Sequence, residues 1–207
     1  MATLADDSVI HDSTPRLLHL LLLAELFVHS SPRPVHISPH CGMFKSMIHQ
    51  VDTLSNIFKT LHDLPDGERM HFEDVEFRLG GLPHIQHTAA DFNSLKLNES
   101  LPQLFLYTRS FGLHVDWLKT AKENVSLSSQ SAEGASSHLL QLSSLLNASL
   151  HQIGEEVPQS PSPSLPVVST AFDVLQFSVE ISEQLQVFCK WSKRVLVLLR
   201  PSRCPRR

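Results

Sequence analysis

Apolar positions recur at three- and four-residue steps in four separate stretches of the chain, and each stretch predicts an amphipathic helix. The first carries Phe44, Met47, Ile48, Val51, Leu54, Phe58 and Leu61, with Lys45, Gln50, Asp52 and Lys59 on other faces. It predicts a helix over about residues 42–62, stopped by the turn residues Leu64-Pro65-Asp66-Gly67. The second helix is expected over about 99–122, with Leu101, Leu104, Phe105, Thr108, Phe111, Val115 and Leu118 as its stripe. Pro102 is expected in its first turn, where a missing N–H is tolerated. The third, about 135–153, shows Leu139, Leu142, Leu145, Leu146, Leu150 and Ile153 against a serine-rich opposite face. The fourth, about 169–200, runs from Phe172 through Leu175, Val179, Ile181, Leu185, Phe188 and Val195 to Leu198 and Leu199. Ser169 or Thr170 can cap its start, and Pro201 stops it.

The connections between these helices carry as much information as the helices. Residues 65–97 lack a clean helical period, hold the acids Asp66, Glu68, Glu73, Asp74 and Glu76, and are interrupted by Gly80-Gly81 and Pro83, with room for a short helical turn between His84 and Leu97. Residues 126–137 are polar and form a short link. The third connection contains Pro158, Pro161, Pro163 and Pro166 among serines, a composition that stays extended and solvated. Neighbouring antiparallel helices need only a few linking residues. Two long crossovers around one short link therefore predict an all-α fold, an up-up-down-down four-helix bundle.

Ahead of these helices, residues 17–28 (LLHLLLLAELFV) form an apolar run behind Arg16. The run is shorter than the ~20 residues that span a bilayer. It reads as the core of a secretory signal over residues 1–30, with Val28 and Ser30 as small residues at the cleavage positions, leaving 31–207 as the helical domain. Asp6, Asp7 and Asp12 stand where such signals usually carry positive charge, and a buried N-terminal helix is the alternative.

At 207 residues the chain is one domain with tails, and 42% hydrophobic against 18% charged residues suffices for a core. With a formal net charge of -4, one Tyr and two Trp, no nucleic-acid partner is expected. Charge is unevenly placed. Lys190, Lys193, Arg194, Arg200, Arg203, Arg206 and Arg207 give the C-terminal end seven bases and no acid, on an otherwise acidic body. A basic end of this kind steers toward an acidic partner, and it also complements a helix C-terminus.

A search for catalytic chemistry finds none of the usual signatures. The chain has no G-x-G-x-x-G, no phosphate-cradling loop, no H-E-x-x-H, no G-x-S-x-G and no C-x-x-C. His84 and His87 are three apart and His36, His40 and Cys41 lie close, but neither group has further ligands at metal-site spacing. The 13 histidines read as scattered surface residues. Glu155-Glu156 and Asp6-Asp7 sit in loops or chain ends, where nothing would raise a carboxylate into the range of a general acid. No enzyme, metal or cofactor is expected.

Asn98-Glu99-Ser100, Asn124-Val125-Ser126 and Asn147-Ala148-Ser149 satisfy the N-x-S glycosylation sequon. Asn98 and Asn124 flank the second helix; Asn147 falls within the third, where an unmodified helical Asn is the alternative. Cys41 opens the first helix and Cys204 follows the fourth. In an up-up-down-down bundle those two ends share a pole, so a Cys41–Cys204 bridge is allowed, with Cys189 as the odd thiol.

Two blocks of residues resemble the interleukin-11 family over most of residues 43–200. One runs from Leu82-Pro83 to Leu113-His114-Val115-Asp116-Trp117-Leu118. The other is the Pro-rich linker, then Ser169-Thr170-Ala171-Phe172, then Lys190-Trp191-Ser192-Lys193-Arg194 and the leucine run after it. The resemblance implies a secreted four-helix cytokine, monomeric and without membrane insertion in its mature form. Such a cytokine binds a dedicated alpha receptor, then the shared signal-transducing receptor of the interleukin-6 family, and signals through receptor-associated kinases. It implies that Arg194 contacts the alpha receptor, in a basic patch with Lys190. The family carries an acid at the position of Lys190, and the chain departs from it there. Phe172 stands where the family places an exposed tryptophan for a second copy of the shared receptor; a core role at the helix start is the alternative. The family's arginines on the third helix are largely serine here, so that surface is not carried over. Trp117 and Trp191 read as packing residues. Three other readings stay open: a secreted amphipathic lipid-binding protein, another interleukin-6-family cytokine, or an intracellular helical scaffold.

Overall fold

A computed structural model describes residues 39–64, 79–159, 163–201 and 204. These belong to the unit Ile37–Arg207. The unit Met1–His36, and with it the expected signal segment 1–30, lies outside the described residues.

The described residues form four α-helices and no strand: α1 (Pro39–Ile57), α2 (Leu97–Asn124), α3 (Gln130–Ile153) and α4 (Ala171–Leu199). A 3₁₀ turn, Phe58–Thr60, extends α1, and another, Asp91–Asn93, lies in the connection before α2. The periodic stripes become the core. Phe44, Met47, Val51 and Leu54 of α1, Leu104, Phe111 and Leu118 of α2, Leu139, Leu142 and Leu146 of α3, and Ile181, Leu185 and Phe188 of α4 are all buried. Each such Leu, Ile or Phe contributes about 1.5–3 kcal/mol through burial. Phe111 and Phe188 meet at the centre with ring centroids 5.0 Å apart. Both α3 and α4 pack on α1 and on α2, so α3 and α4 occupy diagonally opposite corners.

Three local expectations need correction. α3 starts at Gln130, not near residue 135: Ala132 and Ala135 bury small side chains against the bundle, and the surrounding serines had masked the helix. α2 starts at Leu97, which places Pro102 in the second turn rather than the first, so it donates no hydrogen bond to the Asn98 carbonyl. Two histidines are not surface residues. His62 is buried and its Nδ1 accepts from the Leu64 N–H, 3.0 Å away. His114 is buried on α2 with Nδ1 2.8 Å from the Ser110 carbonyl oxygen and Nε2 3.2 Å from that of Gly80.

Helix ends follow local chemistry. Thr170 caps α4, its hydroxyl accepting from the Asp173 N–H at 3.1 Å. Gly154 ends α3 in the left-handed conformation at φ 74°, and the next N–H, of Glu155, returns to the Leu150 carbonyl.

Side-chain ties fix which ends meet. The fully buried Lys122 ammonium, near the end of α2, donates to the Leu61 carbonyl at 2.7 Å and to Asp63 Oδ2 at 2.6 Å, both just past the end of α1. The Ser131 hydroxyl, at the start of α3, donates to Thr60 Oγ1 at 3.3 Å. Cys41, at the start of α1, is joined by a disulfide to Cys204 beyond α4.

The long connections are strapped to the helices and to each other. The Leu79 N–H donates to both carboxylate oxygens of Glu180 on α4, at 3.0 and 3.2 Å. Ser110 on α2 donates to the Gly81 carbonyl at 2.9 Å, and the Trp117 indole N–H donates to the Pro166 carbonyl at 3.1 Å. Gly81 adopts φ 80°, and a Cβ there would lie 3.0 Å from the Pro163 Cβ, so the crossing of the two connections requires glycine on both counts.

Candidate functional site

The C-terminal half of α4 and the turn before α2 build one surface. Trp191 is buried by its neighbours: His87 stacks on it at 4.9 Å and 9°, and Tyr107 meets it edge-on at 5.3 Å. The 3₁₀ turn Asp91–Asn93 delivers Phe92, and the Arg194 guanidinium carbon sits 4.0 Å from the centre of its ring. That cation–π contact holds an exposed arginine over an aromatic face at about 0.5–1 kcal/mol. The turn itself is fixed by Asp91, whose Oδ2 accepts the Thr88 N–H at 2.6 Å and the Thr88 hydroxyl at 3.0 Å. Those bonds, the backbone one first, hold its carboxyl below the usual acid range. His87, Phe92, Leu95, Glu99, Gln103 and Trp191 line a cavity of about 200 Å³ beside the arginine.

Around this centre α4 exposes Lys190, Val197 and Leu198, while Lys193 pairs with Asp52 of α1 at 2.6 Å. The arrangement brings cations, aromatic rings and exposed aliphatic groups onto one surface.

The other residues singled out by sequence lie elsewhere. Phe172 is 57% exposed in the first turn of α4, on the surface and not in the core. Twenty-two residues separate it from Arg194, about 33 Å along a helix. Asn98 and Asn124 are exposed at the two ends of α2, and Asn147 is half-buried on α3. Trp117 packs edge-on against Phe177. Cys189 is buried and free, and burial pushes its thiol up to about 12, so it stays protonated and unreactive near neutral pH. Among the described residues no group of three or more His, Cys, Asp and Glu is placed to hold a metal ion, and no helix is long and apolar enough to cross a membrane.

Sequence reasoning reached Arg194 and Lys190 but missed Phe92, His87 and Tyr107. Phe92 and His87 lie in the aperiodic connection, and nothing in the linear sequence pairs them with α4. The available hint was the short helical turn allowed between His84 and Leu97, which the structure places at Asp91–Asn93.

No curated protein and no solved structure matches the chain. The model of the interleukin 11 family matches residues 34–203, a span that takes in all four helices, both strapped connections and the α4 surface. The chain therefore belongs to the interleukin-11 family.

Proposed function

We propose that the chain is a secreted cytokine whose α4 surface binds a dedicated alpha receptor and whose opposite end recruits the shared signal-transducing receptor of the interleukin-6 family. The observation that carries this reading is the separation of two unlike surface patches at opposite ends of α4, about 33 Å apart along it. One holds Arg194, Lys190 and the Phe92 ring; the other holds Phe172. A ligand that holds two receptors needs separate surfaces and no chemistry between them.

The topology in this reading is up-up-down-down. The Lys122 tie joins the end of α2 to the end of α1, the Ser131–Thr60 contact brings the start of α3 to that pole, and the disulfide brings the end of α4 to the start of α1. These contacts support α1 and α2 running one way and α3 and α4 the other. Residues 1–30 act as the signal peptide in this proposal, and 31–207 as the mature cytokine, monomeric until receptors assemble on it.

A paired substitution tests the assignment of the two patches. Arg194→Glu reverses the charge over Phe92 and is expected to weaken alpha-receptor affinity at least about tenfold, about 1.4 kcal/mol. Phe172→Ala is expected to leave that affinity and the melting temperature unchanged while lowering signalling in receptor-bearing cells. Surface plasmon resonance and a cell reporter read the two effects. Unchanged affinity in Arg194→Glu removes the first assignment. A large fall in melting temperature for Phe172→Ala makes Phe172 a packing residue.

A further inference from the structure

We propose that an N-linked glycan on Asn147 lies along the groove between α2 and α3 and covers the apolar surface there. The inference rests on the secretion reading above, because sequons are used in the secretory pathway.

The groove has two adjoining parts. Its wider part, about 420 Å³, is lined by Phe105, Leu140, Val157, Pro158 and Asn147 itself. A narrower part, about 80 Å³, continues along the same helices past Leu113. Arg109, Leu140 and Ser143 line both parts. Leu140 is 62% exposed, on a corner of the bundle where nothing else covers it among the described residues. Val157, Pro158 and Leu113 around it are half-buried.

The anchor and its direction identify the occupant. Asn147 stands on the rim, one turn beyond Ser143 and Ser144 and two turns beyond Leu140. Helical side chains lean toward the N-terminus of their helix, so what Asn147 carries is aimed over the preceding turns, toward Ser144 and Leu140. Leu140 is about 10.5 Å away along the axis, within reach of the first sugars of a glycan. Their apolar faces suit Leu140 and Val157, and their hydroxyl and acetamido groups suit Arg109 and Gln159 at the groove edge. Asn98 and Asn124, at the ends of α2, line neither part of this groove.

Two consequences follow from position. Ser149, the third residue of the sequon, is buried with its hydroxyl donating to the Leu145 carbonyl at 2.8 Å, so glycan transfer must precede the packing of α3. α3 lies diagonally across the bundle from α4, and α4 carries no sequon. The glycan on Asn147 thus closes the α2–α3 side, away from α4.

The test secretes the full chain from cultured animal cells as wild type, as Ser149→Ala and as Asn147→Gln. Glycopeptide mass spectrometry reads occupancy, and hydroxyl-radical footprinting reads the exposure of Leu140. Expected is an occupied Asn147, with Leu140 oxidised several-fold more slowly in wild type than in either variant, and Val197 on α4 oxidised equally in all three. Equal Leu140 oxidation beside an occupied Asn147 overturns the groove placement. A bare Asn147 on a secreted chain overturns the inference alone. A chain retained inside the cell overturns the secretion reading and this inference with it. If one variant changes Val197 oxidation, its fold is altered, and the other variant decides.

Discussion

Replacing Cys41 and Cys204 together by serine is expected to lower stability by about 4–5 kcal/mol, the largest single effect on this fold. The cross-link joins residues 163 apart, so it closes nearly the whole helical unit into one loop. In the chain-entropy picture a loop of this length restricts the unfolded ensemble by about 5 kcal/mol, an upper figure for a cross-link that matches native geometry. Its placement also ties the first turn of α1 to the segment after α4, where Arg200 ends the helix in an extended conformation and Pro201 prevents its continuation. Urea titration of oxidised wild type against the double-serine variant measures the effect. With a slope of about 2 kcal/mol/M, the midpoint falls by about 2 M. An unchanged midpoint, or a non-reducing peptide map in which Cys41 alkylates as a free thiol, contradicts the bridge.

The second large effect is expected at the opposite pole. Asp63→Asn leaves the Lys122 ammonium buried with the Leu61 carbonyl as a partner but without a counter-charge. Breaking a buried ion pair by removing one member destabilises by about 3–5 kcal/mol. The Asp63 side chain is 35% exposed, which screens the pair and places the expected loss at about 3 kcal/mol. Asparagine suits the test because residue 63 sits at φ 54°, a left-handed conformation that Asn tolerates as Asp does. Lys122→Met removes the buried charge together with its desolvation penalty, so it is expected to be the milder change of the two. Chemical denaturation of both variants decides. An Asp63→Asn variant as stable as wild type, or milder than Lys122→Met, shows that the pair does not hold α1 to α2.

Much of the bundle was legible in the sequence because its core residues repeat at helical spacing. Phe44, Met47, Val51 and Leu54 announced α1, and Leu185, Phe188 and Val195 announced α4, since a buried stripe must recur every three or four residues to stay on one face. The start of α3 was hidden because Ser129 to Ser137 reads as a polar loop; only tertiary contact shows that Ala132 and Ala135 are apolar enough to pack. Lys122 was unreadable for the opposite reason. A lysine on a helix is ordinarily solvated, and its burial depends on a carboxylate 59 residues earlier and on a carbonyl past the end of another helix. The α4 surface was half legible. Arg194 and Lys190 belong to a block of residues with a recognisable family pattern, whereas Phe92 and His87 reach it from a connection without periodicity.

The most direct test of the account is a titration of purified residues 31–207, disulfide intact, into the ectodomain of an interleukin-11-family alpha receptor, followed by calorimetry. The account predicts a saturable one-to-one complex that Arg194→Glu weakens and Phe172→Ala does not. No binding by a folded, fully helical protein would contradict it.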